Sequence, residues 1–213
     1  MTEIERTRQA ATDLHTKLLA LIEEIGPIHI GEKHHFPFGG RKAAKGRTVW
    51  RLLEEAISQN LELNAEQLGL SHYAPASSEV GVYDFKYRAD NHVDVYVNVK
   101  SSVSGGRTNK DDISKALSLR DFVRSHAPCC LLVATVEIEF SEDPMSLVLS
   151  DCHVVPLLWL PDIYVNPSNN GNLQSSKYKY IDLATPRTTE EFLPVLDAAM
   201  EAAATKRRNT RNS

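Results

Sequence analysis

The chain has 213 residues, 42% of them hydrophobic and 24% charged, which is enough to bury one substantial core and typical of a soluble globular protein. Its formal net charge of -4 disfavours a protein that coats nucleic acid non-specifically, although a locally positive cleft remains compatible with it. No apolar run approaches the length of roughly 20 residues that is needed to cross a bilayer, and the N-terminus shows no signal-peptide pattern. We therefore expect a cytoplasmic protein without membrane contact. We also expect one domain over residues 1–213.

The chain contains three cysteines, Cys129, Cys130 and Cys152, and no C-x-x-C pair. An odd number without that spacing argues against a disulfide framework and against a zinc site. Cys129 and Cys130 lie in an apolar run that is typical of a buried strand, so we expect inert core thiols there.

Apolar spacing predicts two helices in the first third of the chain, over residues 3–25 and 47–61, and Gly26-Pro27 ends the first. Glu54 lies at the flank of the second apolar stripe, where it can reach into a cleft or face solvent. Residues 27–46 form a predicted loop whose glycines and basic residues suit phosphate contacts, although a solvated loop has the same composition. The basic residues concerned are Arg41, Lys42, Lys45 and, just beyond the loop, Arg47.

Residues 79–102, EVGVYDFKYRADNHVDVYVNVKSS, alternate with period two on both sides of a turn near Arg88-Ala89-Asp90-Asn91, which predicts an antiparallel β-hairpin. The odd positions are aromatic residues and valines and should lie on a core. The even positions are more polar and should face outwards; they include Asp84, Asp94, Asn98 and Lys100.

Three of these polar residues should form one small patch. Asn98 and Lys100 are separated by roughly 6–7 Å along the same strand face. With the turn centred on Ala89-Asp90, residue 84 faces residue 96 and Asn98 is its diagonal neighbour. A carboxylate and an amide oxygen suit a divalent metal ion, and an ammonium group suits an anionic substrate or an attacking water. Asp94 lies about 13 Å from Asn98 and stays outside this set.

In the second half of the chain we predict a polar loop after residue 102 and then a helix near 112–125, capped by Asp111 or Asn109. Apolar runs predict strands near 128–138 and 147–155 and a further short strand at LLWL. A final helix starts at Thr188 with a capping box, and the basic tail 206–213 is expected to be disordered. Two loops carry further candidate DNA-binding side chains, which can contact phosphates or base edges but also occur in ordinary turns. These are Arg107, Asn109, Lys110, Asn169, Asn170, Asn172 and Gln174.

The order α, α, β-hairpin, α, β, β, α predicts an α/β domain with a mixed sheet. The polar residues of this domain resemble the motif of the PD-(D/E)XK nuclease superfamily, and of type II restriction endonucleases in particular. The matching residues are Glu54 on an early helix, Asp84 at the start of the hairpin, and Asn98 and Lys100 at its end. The stretch KGRTVWRLLEEAI is also similar to a run in the mismatch-repair nicking branch. The resemblance covers about residues 45–102 and departs from the usual pattern in having Asn98 at the second acidic position.

The resemblance implies a restriction-endonuclease-like core, a mixed β-sheet flanked by helices, with the catalytic part at about residues 45–160. It also implies Mg²⁺-dependent cleavage of double-stranded DNA at a short site by a homodimer. Asp84 and Asn98 are then the metal ligands, Lys100 positions the attacking water, and Glu54 orients Lys100 or acts through a water. The alternatives are a repair or structure-specific nuclease of the same fold, an inactive DNA-binding relative, which Asn98 favours, and a purely structural α/β module.

Overall fold

A computed structural model of the chain describes residues 1–35, 49–77, 81–90, 92–105, 110–142, 145–168 and 171–211. The helices are α1 Glu3–Ile25, α2 Val49–Leu63, α3 Ala116–Ser125 and α4 Thr189–Arg211. The strands are β1 Ile28–Gly31, β2 Ser71–Pro75, β3 Phe85–Arg88, β4 Asp94–Val103, β5 Asp111–Lys115, β6 Cys130–Glu142, β7 Met145–Pro156, β8 Tyr164–Val165 and β9 Asn172–Ser175. No helix within these ranges is both long enough and apolar enough to cross a bilayer.

A six-stranded mixed sheet with the order β1-β7-β6-β4-β3-β2 forms the centre of the fold. Strands β4 and β6 run parallel, because the chain between them crosses over through α3, and the other neighbouring pairs are antiparallel. A smaller sheet with the order β5-β9-β8 lies apart from it. The predicted α/β class, a mixed sheet flanked by helices, is therefore confirmed.

The large sheet is covered on both faces. On the valine face, named after Val95 and Val97 of β4, the side chains pack with α1 and α2 in one apolar cluster. On the opposite face, which we call the asparagine face because it carries Asn98, Tyr96 packs with α3, α4 and the small sheet. The expectation that the even positions of the hairpin face outwards is therefore wrong for Tyr96 and Asn98, which are only 8% and 5% exposed. An apolar layer from the second half of the chain covers them.

Hydrogen bonds join the starts of the first and last helices. The Thr189 backbone N–H and side-chain Oγ1 both donate to Glu3 Oε1, at 2.7 and 2.6 Å. Thr189 Oγ1 in turn accepts a hydrogen bond from the Cys129 N–H at 2.9 Å, at the entrance to β6. Thr189 is 2% exposed, so this clasp fixes α1, α4 and β6 together inside the protein.

Several predictions about individual elements are confirmed. Helix α1 ends at Gly26, whose φ of 62° lies in the left-handed region that glycine tolerates. The predicted capping box at the start of α4 is present, since Glu191 N–H donates to Thr188 Oγ1 at 3.2 Å and Thr188 N–H donates to Glu191 Oε2 at 2.8 Å. The three cysteines are buried and free, as expected, and burial raises the pKa of each thiol to about 12.

Other predictions about individual elements are wrong. Two short strands were missed, because short strands depend on partners far away in the sequence. The predicted loop 27–46 contains β1, and the irregular segment 62–78 contains β2. Asp111 is not a helix cap, because it pairs with Ser175 in β5 and α3 begins only at Ala116. The LLWL segment is a 3₁₀ turn rather than a strand. The tail is helical up to Arg211 instead of disordered from residue 206.

Candidate active site

The hairpin pairs in a register different from the predicted one. Phe85 lies opposite Val97 and Lys86 opposite Tyr96, so residue 84 does not face residue 96. The strand pairing ends at Phe85 and Val97, and Asp84 follows just outside it, with its N–H donating to Val97 O at 2.8 Å. Asp84 therefore lies beside the part of β4 that carries Asn98, but not in the diagonal position that the predicted register gave it.

The turn explains the shift. Ala89 N–H donates to Val93 O at 2.9 Å and His92 N–H donates to Ala89 O at 2.8 Å, so the connection between the strands is longer than a two-residue turn. His92 has a φ of 61°, in the left-handed region, which closes the loop. A longer connection moves the pairing along the strands by two residues.

Asp84 is held at the open end of the hairpin. Val99 N–H donates to Asp84 Oδ2 at 2.6 Å, which anchors one carboxylate oxygen on β4. The residue is exposed, yet the surrounding chain desolvates its carboxylate, and this desolvation raises the pKa of Asp84 above its ordinary value. The Val99 hydrogen bond and the positive charge of Lys100 act in the opposite direction. A desolvated carboxylate with a shifted pKa is a candidate for a functional site.

Asn98 is buried with one half of its amide unsatisfied. Its Nδ2 donates to Val82 O at 3.1 Å, which fixes the orientation of the amide. Its Oδ1 is buried and has no hydrogen-bond partner in the part of the chain that the structure describes. Leaving such an acceptor unsatisfied costs about 1–3 kcal/mol. This cost is offset if Oδ1 binds a group outside the protein.

Lys100 follows two residues later on the same face of β4 and is partly exposed. Its charge acts on Asp84, so the ammonium group lies within electrostatic reach of the carboxylate. Asp84 contacts β4 at Val99, between Asn98 and Lys100 in the sequence, and the shared patch of the three residues stays a prediction. Asp94, which we expected to lie outside the patch, forms an ion pair with Arg88 at 2.9 Å near the turn.

Glu54 belongs to a helix that packs on the other side of the sheet. It is a partly exposed residue of α2, and that helix packs on the valine face through Leu53 and Ile57. Asn98 and Lys100 lie on the asparagine face. The structure therefore does not bring Glu54 into the patch in the way it brings Asp84, and its catalytic role stays a prediction.

A divalent metal ion fits the donors that the hairpin presents. Asp84 offers a carboxylate and Asn98 offers a buried amide oxygen that lacks a partner within the described residues. In the same ranges no three His, Cys, Asp or Glu side chains converge on one point, so this patch would supply a single carboxylate. Mg²⁺ tolerates such a site, because it keeps several waters and often binds through one or two carboxylates.

The predicted DNA-binding residues have different outcomes. Arg41, Lys42, Lys45, Arg47, Arg107, Asn109, Asn169 and Asn170 lie outside the described residues. Lys110 is exposed, and its Nζ lies 4.1 Å from the centroid of the Tyr164 ring. Asn172 and Gln174 both donate their amide N–H groups to Asp112, at 3.1 and 2.7 Å. These two amides therefore connect β9 to β5, and reading a base edge would require them to give up these hydrogen bonds.

Polar residues that the sequence analysis did not identify continue the patch across the asparagine face. Thr135 is the register partner of Lys100, and Glu137 is the partner of Ser102. Lys179 Nζ donates to Glu137 Oε1 at 2.9 Å and to Ser102 Oγ at 3.1 Å. In the sequence, these residues could have been noticed because polar side chains at positions 135 and 137 interrupt the apolar residues of β6. That interruption points to the patch only when β4 and β6 are known to be neighbours.

Partial burial disfavours the charged form of Glu137, but Lys179 and His153 outweigh it and hold the pKa of this carboxyl below its ordinary value. Glu137 is thus an internal counter-ion. Beyond it, a cavity of about 380 Å³ opens at the β7 side of the sheet, lined by Arg8, His15, His153 and other residues. It lies two strands away from β4 and does not include Asp84, Asn98 or Lys100.

Comparison with known proteins finds no match to a protein-family model and none to a curated protein sequence.

Proposed function

We propose that the protein is a Mg²⁺-dependent endonuclease of the PD-(D/E)XK type that cleaves double-stranded DNA at a short specific site, as type II restriction endonucleases do. The observation that supports this most directly is Asn98 Oδ1, which is buried and without a partner among the described residues, one position before Val99, whose N–H holds the Asp84 carboxylate at 2.6 Å. Lys100 stands two residues further along the same face. A carboxylate, an amide oxygen and an ammonium group on one patch suit phosphodiester hydrolysis.

In this proposal the hairpin binds and orients the reacting groups. Asp84 and Asn98 hold Mg²⁺, which when bound supplies a Lewis acid for the scissile phosphate. Lys100 offsets phosphate charge and orients a water molecule for in-line attack. The water oxygen bonds to phosphorus while the bond from phosphorus to the 3′ oxygen breaks; the attacking water releases a proton to solvent, and the departing 3′ oxygen takes up a proton from solvent. The resemblance implies that Glu54 orients Lys100, but the helix of Glu54 packs on the opposite face of the sheet, so no step is assigned to it here.

A basic surface beside the small sheet supports DNA binding. Lys110 and Lys206 place their Nζ atoms 4.1 and 5.8 Å from the centroid of Tyr164, and Arg207 Nε donates to Pro167 O at 2.9 Å. These exposed cations lie at the C-terminal end of α4 and on the segment before β5. Lysine and arginine on a convex surface contact phosphates independently of sequence. We name Lys110, Lys206 and Arg207 the basic edge.

The basic edge and the hairpin are connected through the small sheet. A cavity of about 200 Å³ is lined by Gly81, just before the hairpin, and by Asp112 and Asn172 of the small sheet. Asp112 pairs with Gln174, which in turn pairs with Tyr164 on β8. Two strand spacings amount to about 10 Å. The basic edge is thus joined to the hairpin region through the small sheet, and a homodimer would place one such site on each strand of a palindrome.

The test is cleavage of a phage genome with Mg²⁺, in which reproducible discrete bands support a sequence-specific enzyme and a smear supports the repair-type alternative. The variants Lys100→Ala and Lys110→Ala are a matched pair. We expect Lys100→Ala to lose cleavage but keep DNA binding, and Lys110→Ala to bind less tightly but still cleave at saturating DNA. Cleavage by Lys100→Ala at the wild-type rate, or intact DNA with both Mg²⁺ and Mn²⁺ for the wild type, would contradict the proposal.

A second candidate, an inactive DNA-binding relative, is favoured by one observation. The Asn98 amide is buried and bonded to Val82 O, which is also how a purely structural asparagine is held. Such a protein should bind DNA, leave it intact and show no heat of Mg²⁺ or Mn²⁺ binding by calorimetry. Metal binding with cleavage would rule this candidate out.

A further inference from the structure

Thr135 carries an unexplained buried hydroxyl next to Lys100. It is 0% exposed, and its Oγ1 has no hydrogen-bond partner in the described ranges of the chain. The parallel pairing of β4 with β6 places Thr135 directly beside Lys100. Paired residues of neighbouring strands point to the same face, so this hydroxyl belongs to the patch of Asp84 and Asn98.

Two buried oxygens without partners therefore lie close together. Asn98 pairs with Val133 and Lys100 with Thr135, so Asn98 and Thr135 are diagonal neighbours on adjacent strands. From the strand spacing and the rise per residue, their Cα atoms are about 8 Å apart. Both oxygens lack partners among the described residues, whereas Ser102 Oγ on the same face accepts a hydrogen bond from Lys179.

With Asn98 Oδ1 assigned to the metal ion, Lys100 and Thr135 remain as the partners of one water molecule. A buried water typically makes about three hydrogen bonds, which requires two to four polar partners. Lys100 supplies only donors, Asn98 Oδ1 supplies only an acceptor, and a threonine hydroxyl supplies both. Elsewhere on this face of β6, Leu131 and Val133 show that an apolar side chain is accommodated. Valine has the shape of threonine, so packing does not require a hydroxyl at position 135.

We infer that Thr135 is a positioning residue that holds the attacking water of the proposed hydrolysis together with Lys100. The water accepts a hydrogen bond from Lys100 Nζ and donates one to Thr135 Oγ1, which leaves an oxygen lone pair free to attack phosphorus. This inference rests on the proposed nuclease function for the role of the water. The hydration site itself does not depend on that function.

The test uses Thr135→Val, which removes the hydroxyl and keeps the shape, and Thr135→Ser, which keeps the hydroxyl. We expect Thr135→Val to lower the single-turnover cleavage rate on the order of 100-fold, the size expected when a reacting group is misplaced by about 1 Å, with DNA affinity unchanged. Thr135→Ser should recover the rate to within a few-fold. The matched control is Ser102→Ala, which removes a bonded hydroxyl from the same face and should lower the melting temperature while leaving the rate nearly unchanged.

A high-resolution crystal structure supplies a result independent of activity. A water bonded to Thr135 Oγ1 and Lys100 Nζ in the wild type, and missing in Thr135→Val, supports the hydration site. Its absence from the wild type overturns the inference, as does Thr135→Val cleaving like the wild type. If the water is present but the wild type does not cut DNA with any divalent metal ion, the hydration site stands and the nuclease proposal fails.

Discussion

Replacing Asn98 with aspartate should make the stability of the protein depend strongly on divalent metal ions. The change removes the hydrogen bond from Nδ2 to Val82 O and places a carboxylate against that carbonyl oxygen at a position only 5% exposed. A lost neutral hydrogen bond costs about 1 kcal/mol, and a buried charge without a partner costs roughly 3–5 kcal/mol. The Lys100 ammonium, two residues further along β4, offsets part of the cost of the buried charge, so we take about 2–4 kcal/mol as the net loss without metal.

This loss converts into a measurable temperature shift. For a protein of this size, 1 kcal/mol corresponds to about 2–4 °C in melting temperature, so Asn98→Asp should melt roughly 4–16 °C below the wild type in EDTA. A carboxylate binds Mg²⁺ more strongly than an amide oxygen does. At a metal concentration about 100 times the dissociation constant, binding to the native state adds about 2.7 kcal/mol. Mg²⁺ should therefore restore most of the lost stability in the variant and stabilise the wild type less.

The assay is thermal unfolding of the wild type, Asn98→Asp and a control, each in EDTA and in Mg²⁺. Asn60→Asp is the matched control, because Asn60 Nδ2 donates to Ala56 O at 2.8 Å within α2, away from the patch. It should lose stability to the same extent with and without Mg²⁺. If Mg²⁺ shifts all three proteins equally, Asn98 is not at a metal site and the proposed role of the Asp84–Asn98 pair is refuted.

Two further predictions concern charge. Desolvation raises the pKa of Asp84 above its ordinary value of 3.8. The stability of the wild type should therefore fall relative to that of Asp84→Asn as the pH rises from below 3.8 through the raised pKa. Melting temperatures of the two proteins at several pH values in EDTA check this, and a difference that stays constant with pH would contradict it. Replacing Lys206 and Arg207 with glutamine should weaken DNA binding at low salt and reduce the slope of log K against log salt by about 0.9 for each phosphate that is no longer neutralised. Fluorescence anisotropy at several salt concentrations measures that slope. Lys17→Gln, which removes a cation of α1 paired with Asp13, is its control and should leave the slope unchanged.

The sequence correctly predicted which side chains of a hairpin strand share a face of the sheet, but it did not predict how the two strands of the hairpin are aligned. Both outcomes have one physical reason. Side chains alternate with period two, so a register shift of two residues leaves every side chain on its own face. Asn98 and Lys100 therefore share a face in the predicted and in the observed pairing. The loop between the strands decides which of the allowed registers occurs, and its left-handed residue, His92, gives no clear signal in the sequence.

Predicting the fold succeeded where one element carries its own pattern. Helix α1 and the long strands β6 and β7 show many turns or alternations, so local spacing identifies them. The short strands β1, β2 and β8 do not, because their hydrogen bonds are to residues far away in the chain. Thr135 was overlooked for the same reason, since a threonine in an apolar strand becomes a candidate only once its parallel partner is known to carry Lys100.

The clasp between Glu3 and Thr189 restricts how the chain can fold. It joins residues 186 positions apart, and closing a loop of that length costs about 4–5 kcal/mol in chain entropy beyond a constant. Contacts with such a separation form late, after local helices and hairpins have shortened the effective loop. The first turns of α1 and α4 therefore order together in the last stage of folding. They should also open together in the native state, as one unit in which the amide hydrogens of both helix starts exchange with solvent at the same rate.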